Sequence, residues 1–542
     1  MRGSMMETPL LVSSIIEHAA RFHGDVEIVS RSVEGPVHRT TYRAVRGRAA
    51  KLANALRALG VEDGERIGTL AWNGYRHLEI YYGVSGIGAV CHTINPRLHA
   101  DQIAYIVNHA GDRWIFTDLT FVPQLEALQD RLPGVRGFVV LTDEAHMPVT
   151  ALRNVLCYET LLAAQPAAIA WPAFEENRAA AMCYTSGTTG DPKGVLYSHR
   201  SIVLHAMAGV MAEASRRAVG SASFLPIVPM FHVNAWGYPY SAPMIGGKLV
   251  FAGPANDPES LYELLESEQV QTAAAVPVIW LKLLAYLEES GKPLTALRAL
   301  RVGGSAAPAS MIEAYEARGV EVIHGWGMTE TSPICTTGSV KAKHRDPSIR
   351  LKYQRRAGRV IYGVQVRIVD DEGTVQPDDG NSEGELHVRG PWITGEYYDN
   401  PAATAAQFTA DGWFRTGDIA TLDGDGYLTI RDRSKDLIKS GGEWISSIDL
   451  ENAAVGHPEI AEAAAIAVPH PTWAERPLLV VVRTPGSALD RDGVLAYLSD
   501  KVAKWWLPDD VVFVDELPHA ATGKVSKRTL REQFASEVTP RP

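Results

Sequence analysis

The sequence contains few of the features that would assign it to a specialised class of protein. Its 542 residues include only four cysteines, which are Cys91, Cys157, Cys183 and Cys335. No two of them have the spacing of a metal site or of a Cys-x-x-Cys motif, which favours a reducing compartment over a disulfide framework. We therefore expect a cytoplasmic protein. A basic stripe is also absent, and the net charge of −11 argues against binding to nucleic acid.

Long apolar segments of the kind found in membrane proteins are missing as well. The N-terminal residues Met1–Met6 form no apolar region, so we expect no signal peptide. The longest run without Asp, Glu, Lys or Arg is Ala218–Gly247, and it contains four prolines. Because proline interrupts helices, this run predicts a buried wall of loops and short strands and no membrane span.

What the sequence does contain is a regular alternation of helical and strand-like apolar patterns. The chain is too long for a single core, so two or more domains are expected. Strands that alternate with helices predict an α/β fold, with a large N-terminal domain of parallel sheets covered by helices. From about residue 355, short strands between Gly and Asp turns predict a small antiparallel β subdomain. The C-terminal part of the chain predicts a small α+β domain.

The loop Tyr184–Gly194 is rich in glycine and hydroxyl side chains and contains Lys193. Apolar residues Ala179–Met182 precede it like the end of a buried strand. Backbone N–H groups beside glycines, the hydroxyls of Ser186, Thr188 and Thr189, and a lysine together suit the oxygens of a polyphosphate. A plain turn is the alternative, since such clusters usually form turns. The loop is not a Walker A sequence, because no Gly-Lys-Ser/Thr follows at the required spacing.

Two more segments of small residues follow predicted strands. Gly303–Pro308 follows Leu300–Val302, and Gly325–Thr331 follows Val320–His324. Ligands of open α/β sheets bind at the carboxyl ends of the strands. We therefore expect these two segments and the 184–194 loop to converge on one site, although each alone also fits a tight turn.

The pattern Thr-Ser-Gly-Thr-Thr-Gly-x-Pro-Lys-Gly at Thr185–Gly194 resembles the signature loop of the adenylate-forming superfamily. This superfamily contains acyl-CoA synthetases, peptide-synthetase adenylation domains and beetle luciferases. Further matches follow in the family's order. Gly325–Thr331 resembles its Tyr-Gly-x-Thr-Glu motif, the loop Trp413–Asp418 carries its Thr-Gly-Asp motif, and Arg431–Ser446 matches its domain junction. Lys524 stands where the family has its catalytic lysine. Within the family, the chain looks most similar to bacterial medium- and long-chain fatty-acid–CoA ligases, a branch that includes 3-methylmercaptopropionyl-CoA ligase.

The resemblance implies an adenylation domain at residues 1–432, which binds ATP and the acyl group, and a mobile C-terminal domain at 433–542 with a hinge at Lys435. It implies an ATP-dependent acid–thiol ligase. A carboxylate attacks the α-phosphorus of ATP and expels diphosphate, and the thiol of coenzyme A then attacks the acyl-adenylate and releases AMP. ATP, Mg²⁺, coenzyme A and an apolar carboxylic acid would be bound. We expect no nucleic-acid partner and no membrane span, and a homodimer.

The resemblance also assigns a role to each matching residue. The catalytic residues would be Lys524, Glu330 and Thr185, and the last two would hold magnesium. The nucleotide-binding residues would be Thr185, Ser186, Gly187, Thr188, Thr189, Gly190, Lys193, Gly304, Ala306, His324, Gly325, Trp326, Thr329, Asp418, Arg433, Lys435 and Lys439. The acyl pocket would be formed by His232, Val233, Trp236, Gly304 and Gly327. Coenzyme A would contact Gly441, Gly442, Glu443 and Trp444.

One position departs from the family pattern, because Trp326 replaces the motif tyrosine, although an indole can also stack on adenine. Other interpretations stay open. Glu330 alone fits a helix N-terminal carboxylate, and His232 and Trp236 alone fit a protein core. An adenylation enzyme with a carrier-protein acceptor and a non-catalytic nucleotide-binding protein are the alternative functions. A thioester hydrolase is disfavoured, because the sequence has no Gly-x-Ser-x-Gly motif.

Overall fold

The computed structural model describes residues 1, 3–185, 191–214, 222–440, 443–520 and 524–534. Predictions that concern Ser186–Gly190, Gly441 and Gly442 lie outside these ranges. The fold contains two large, mainly parallel sheets, separate antiparallel sheets and a C-terminal α+β region, as the sequence predicts. Within the described ranges, no helix combines the length and the apolar character needed to cross a membrane.

The first large sheet ends at the segment predicted to bind phosphate. Its strands are parallel except for the last one, which forms an antiparallel edge. In spatial order they are Val155–Cys157, Gly137–Val140, Asp112–Thr117, Arg66–Leu70, Val90–Thr93, Ala179–Tyr184 and Gly194–Ser198. Thr185, which directly follows Ala179–Tyr184, therefore lies at the carboxyl end of a buried parallel strand.

The second large sheet supplies the other two segments predicted at the site. It is also parallel except for one edge strand. Its strands in spatial order are Glu321–His324, Ala299–Val302, Thr272–Ala275, Ser223–Pro226, Lys248–Phe251, Glu27–Arg31 and Val37–Thr41. The first four strands are mutually parallel, so the residues that follow them emerge at one edge of the sheet.

Helices cover both sheets and separate them from each other. The α-helices are Val12–Phe22, Tyr42–Ala58, Tyr75–Gly86, Ala100–Ala110, Val122–Leu128, Tyr158–Ala163, His199–Ala214, Tyr238–Met244, Pro258–Ser267, Pro277–Ser290, Ala309–Ala317, Pro347–Gln354, Pro401–Gln407, Ser447–Val455, Arg491–Ser499 and Lys527–Phe534. One large apolar core lies between the sheets and joins side chains of both. Each sheet has one further apolar core on its outer face. This layering leaves the strand ends as the place where a ligand can enter.

The antiparallel subdomain and the C-terminal region each have their own sheet. The subdomain consists of Gln365–Val369, Gly384–Arg389, Phe414–Leu422 and Leu428–Arg433. A two-stranded sheet formed by Thr336–Thr337 and Arg359–Val360 precedes this subdomain in the sequence. The C-terminal sheet consists of Glu443–Ile445, Ile438–Ser440, Ala474–Arg483, Ile460–His470 and Asp510–Phe513. The chain thus changes sheets after Arg433, inside the segment that resembles the family's domain junction.

Two local predictions from the sequence are wrong. The segment 413–418 is predicted as a loop, but all of it except Trp413 belongs to the nine-residue strand Phe414–Leu422. Gly417 in this strand has a φ of 72° and lies beside a register shift. A Gly-Asp pair inside a bulged strand resembles a turn in the sequence. The described part of Ala218–Gly247 contains one short strand but also the helix Tyr238–Met244, which tolerates Pro239 because that proline lies in its first turn.

Candidate active site

A cavity of about 1030 Å³ lies at the carboxyl ends of the parallel strands. Its wall includes residues that directly follow three of these strands, namely Thr185, Gly303 and Gly325. Lys524 of the C-terminal region lines the same cavity. The three segments singled out in the sequence therefore meet at one place, and a lysine remote in sequence reaches it.

Thr185 and Lys193 lie at the two ends of the loop that the sequence predicts to bind phosphate, and they are hydrogen-bonded to each other. The Thr185 N–H donates to the Lys193 carbonyl oxygen (2.9 Å), and the Lys193 N–H donates to Thr185 Oγ1 (3.1 Å). Because the flanking strands pair Tyr184 with Gly194, both side chains start from a rigid hairpin. The hydroxyl and the ammonium group consequently reach one part of the cavity wall.

Tyr397 connects this hairpin to Glu330, and the sequence analysis did not identify it. The Tyr397 hydroxyl donates to Glu330 Oε1 (2.7 Å), and Lys193 Nζ lies 4.9 Å from the centre of the tyrosine ring. Burial, with the charge of Glu330 as a second cause, raises the pKa of Tyr397 well above its usual range, so the hydroxyl stays protonated and donates. The tyrosine thus fixes the Glu330 carboxylate on the same side of the cavity as Lys193. No described cluster of three or more His, Cys, Asp or Glu side chains forms a metal site by itself.

Gly303 and Gly304 form a flat wall between Trp236 and Lys524. A Cβ atom on Gly303 would lie 3.1 Å from Trp236 Cη2, and one on Gly304 would lie 3.6 Å from Lys524 Cε. Gly304 also has a φ of 84°, a conformation that favours glycine. A larger residue at either position would fill the space between the indole and the ammonium group.

Four charged groups act on Lys524 electrostatically, which are Arg433, Asp418, Glu330 and Lys435. Its side chain is exposed to the cavity, while the two domains crowd protein atoms around it. This desolvation, reinforced by the positive charge of Arg433, lowers the pKa of Lys524 to about 8. The lysine is therefore still mainly protonated at pH 7.

Asp418 is held by two fixed donors. Its Oδ2 accepts the indole N–H of Trp326 (2.8 Å), and its Oδ1 pairs with Arg433 Nε (2.6 Å). The side chain of Asp418 is 4% exposed, whereas Trp326 and Arg433 line the cavity. The tryptophan that replaces the family tyrosine thus orients this carboxylate.

The apolar half of the cavity begins at an unusual turn. Val233, Asn234, Ala235 and Trp236 have φ angles of 46° to 53°, so four consecutive residues other than glycine are left-handed. The turn places Trp236 against Gly303 and His232 near Lys524. Burial, followed by the charge of Lys524, lowers the pKa of His232 to about 4, so this histidine is neutral at pH 7. Behind the turn the wall is mainly apolar and includes Phe224, Ile227, Val228, Ala206, Val210, Tyr238, Ala242 and Ile245.

The structure brings most of the described candidate residues to this cavity. The lining includes Thr185, Lys193, His232, Val233, Trp236, Gly304, Gly325, Trp326, Gly327, Thr329, Glu330, Arg433, Lys435 and Lys524. Five candidates do not line it, which are Ala306, His324, Asp418, Lys439 and Trp444. The His324 ring contacts the Arg355 carbonyl oxygen (3.3 Å) behind the wall, and the Lys439 ammonium lies over Trp444 on the C-terminal sheet (4.8 Å). The side chain of Glu443 and residues Ser186–Gly190, Gly441 and Gly442 lie outside the described part of the chain.

Comparison of the sequence with known protein families identifies the family. The chain belongs to the AMP-binding enzymes: the family's main domain matches residues 16–398, and the AMP-binding enzyme C-terminal domain matches residues 449–524. The predicted family and enzyme class are therefore confirmed.

Individual relatives match over the full length of the chain. It is 49% identical to 3-methylmercaptopropionyl-CoA ligase of Ruegeria lacuscaerulensis, over 99% of this chain and 100% of the relative. It is 48% identical to the medium-chain-fatty-acid–CoA ligase of Ectopseudomonas oleovorans, over 98% of each protein. A crystal structure of an anthranilate CoA ligase in complex with anthranoyl-AMP has the same fold, with a TM-score of 0.85, 24% identity, and coverage of 98% of this chain and 99% of that one.

Proposed function

We propose that the protein is an ATP-dependent acid–CoA ligase that converts an apolar carboxylic acid, ATP and coenzyme A into acyl-CoA, AMP and diphosphate. The observation that carries this proposal is the meeting of Lys524 with the Thr185–Lys193 hairpin and Glu330 around one cavity. The two full-length relatives named above, both CoA ligases, support the same reaction.

In the first half-reaction, a carboxylate oxygen bonds to the α-phosphorus of ATP and the bond to diphosphate breaks. No general base is needed, because a carboxylic acid of ordinary pKa is already ionised at pH 7. The difficulty is that two negatively charged reactants must approach each other. Lys524, as a mobile point charge beside the glycine wall, would neutralise charge on the α-phosphate and the carboxylate. Lys193 and the hairpin would hold the phosphates that leave.

The phosphate side of the cavity also fits a magnesium ion. Glu330 offers a carboxylate whose Oε1 is oriented by Tyr397, and Thr185 offers a hydroxyl on the facing hairpin. One carboxylate, one hydroxyl and phosphate oxygens form the kind of oxygen donor set that magnesium takes in nucleotide sites. When bound, the ion would neutralise charge on the phosphate oxygens.

In the second half-reaction, the thiol sulfur of coenzyme A bonds to the acyl carbonyl carbon and AMP leaves. Lys524 occupies the cavity in this conformation, so the thiol needs another arrangement of the C-terminal domain, residues 433–542. A hinge at Lys435 fits this need, because the chain changes sheets just before it. The contacts to be exchanged include the N–H and hydroxyl of Ser447, which donate to Asp432 Oδ2 (2.7 and 2.6 Å). Trp444, now remote from the cavity, would approach it in the second arrangement. The homodimer implied by the resemblance is part of the proposal.

The first experiment measures AMP formation with ATP, Mg²⁺ and coenzyme A over saturated carboxylates from two to sixteen carbons, plus 3-methylmercaptopropionate. We expect a maximum at one chain length that depends on free coenzyme A. AMP release that requires a carrier protein would contradict coenzyme A as the acceptor. Absence of turnover with every acid would contradict the proposed function.

A variant tests the role given to Lys524. Lys524→Ala should abolish acyl-adenylate formation but leave thioester formation from supplied acyl-adenylate and coenzyme A. Lys501→Ala is the matched control, because Lys501 lies in the same C-terminal region and does not line the cavity. Equal loss of both half-reactions in Lys524→Ala would contradict the assignment.

A further inference from the structure

The apolar half of the cavity contains a histidine that no motif of the sequence marks. His205 lies in the helix His199–Ala214, is 3% exposed and lines the cavity behind the left-handed turn. Its surroundings in this wall are mainly apolar, with Ala206 and Val210 on the same helix. A buried polar ring in an apolar wall requires a physical explanation, because an unpaired polar group there is unfavourable.

The His205 ring is fixed in one orientation. The backbone N–H of Ile334 donates to its Nε2 (3.2 Å), and Trp392 meets the ring edge-on at 6.3 Å between centroids. The neighbouring ring edge, which carries Cε1 and Nδ1, lies against Gly237, where a Cβ atom would come within 2.9 Å of Nδ1 and 2.7 Å of Cε1. Gly237 directly follows Trp236, so the ring lies immediately behind the residue that separates the apolar half from the glycine wall.

The hydrogen bond from Ile334 also determines where the proton of the ring resides. A nitrogen that accepts an N–H is unprotonated, so the neutral ring carries its proton on Nδ1. Burial lowers the pKa of His205 to about 3, which keeps the ring neutral at physiological pH. Across the described ranges of the chain, no residue accepts a hydrogen bond from Nδ1. His205 lines the acyl half, and its Nδ1 is an N–H donor without a described protein partner.

We infer that His205 is a specificity-determining residue that favours acyl chains carrying a hydrogen-bond acceptor, such as an ether oxygen or a thioether sulfur, over plain alkyl chains. The inference rests on the proposed function. An alkyl chain packed against Nδ1 excludes water and leaves the donor unpaired, whereas an acceptor atom at that depth restores the hydrogen bond. We expect a preference of about tenfold for an ether oxygen at the matching position. The preference for sulfur should be smaller, because a thioether is a weak acceptor.

The test compares kcat/KM for AMP formation between octanoate and a set of isosteres in which an ether oxygen or a sulfur replaces each chain methylene in turn. In the wild type, one or two adjacent positions should be preferred over octanoate. In His205→Phe, which keeps a ring but has no donor, the ratio to octanoate should become flat along the chain. His205→Gln, which retains an N–H donor and an acceptor for Ile334, should recover part of the preference. Ser241→Ala is the control for loss of a different polar group from the same cavity wall, and its preferred position should remain unchanged.

A second readout separates this inference from the proposed reaction. Binding of non-hydrolysable acyl-adenylate analogues, octanoyl against its ether isosteres, reports on the wall without turnover. If wild type forms no AMP with any acid but still binds the ether analogue more tightly, the proposed function fails and the role of His205 stands. Equal ratios in wild type and His205→Phe at every position, by both readouts, would overturn the inference. This result would show that a bound water, and not the acyl chain, is the partner of Nδ1.

Discussion

The pH dependence of adenylation should follow the titration of Lys524. Burial beside Arg433 lowers the pKa of this lysine to about 8 in the free enzyme. Charge neutralisation requires the protonated form, so activity is retained below this pKa and is lost as the pH rises through it. The protonated fraction falls from about 0.91 at pH 7 to about 0.09 at pH 9, so kcat/KM should fall about tenfold over this interval. Bound ATP and carboxylate add negative charge, so the fall in kcat should occur at higher pH.

The assay should isolate the first half-reaction. Isotope exchange between diphosphate and ATP, with acid present and coenzyme A omitted, avoids the thiol, whose own ionisation near pH 8.5 would add an opposite trend. The carboxylic acid remains ionised throughout this range. His232 does not contribute, since its pKa of about 4 lies far below the interval.

Lys524→Arg provides the matched comparison. A guanidinium remains charged in proteins, so the fall between pH 7 and 9 should disappear, although its different shape should lower the absolute rate. Two results would refute the reasoning. One is a wild-type profile of kcat/KM that stays flat to pH 9.5, and the other is an equal fall in wild type and in Lys524→Arg.

Two substitutions test the residues that orient the carboxylates of the site. Trp326→Phe removes the donor to Asp418 and keeps an aromatic ring. Because a hydrogen bond to a charged group contributes about 1.5–3 kcal/mol, the KM for ATP should rise at least about tenfold. If Asp418 binds the ribose, the discrimination between ATP and 2′-deoxy-ATP should narrow in this variant, and an unchanged ratio would argue against that contact. Tyr397→Phe removes the donor to Glu330, so the Mg²⁺ concentration for half-maximal AMP formation should rise about tenfold. A Mg²⁺ dependence equal to that of the wild type would make Tyr397 a packing residue only.

The sequence predicts the positions of the strands and of three site segments because these depend on local patterns. The strand Ala299–Val302 is followed by Gly303 and Gly304, and the strand Glu321–His324 is followed by Gly325. Parallel pairing of the two strands then brings both ends to one edge of the sheet. No distant information is needed for this step, and the cavity lies at this edge.

The residues that orient the site were not predictable in the same way. Trp326 and Asp418 are separated by 92 positions, and Tyr397 lies 67 positions from Glu330. Each pair forms only after the antiparallel subdomain packs on the large domain. His205 is still less visible, because a single histidine in an apolar helix has the same pattern as a satisfied core residue. Its unpaired nitrogen can be identified only once Ile334 and Gly237 are placed around the ring.

The left-handed turn Val233–Trp236 could not be predicted from local preferences, because those preferences oppose it. A left-handed conformation costs roughly 1–2 kcal/mol for each residue other than glycine, so the turn as a whole is strained by several kcal/mol. Buried polar anchors offset this cost. The Asn234 amide donates to the Tyr81 hydroxyl (3.0 Å), which in turn donates to the Met230 carbonyl oxygen (2.5 Å), and the Asn73 side chain accepts the Met230 N–H (2.6 Å). Strain of this kind persists only where the surroundings determine the backbone, and here it sets the position of the indole against the glycine wall. The shape of the acyl half therefore depends on Tyr81 in the helix Tyr75–Gly86, which anchors the turn from outside the segment that lines the cavity.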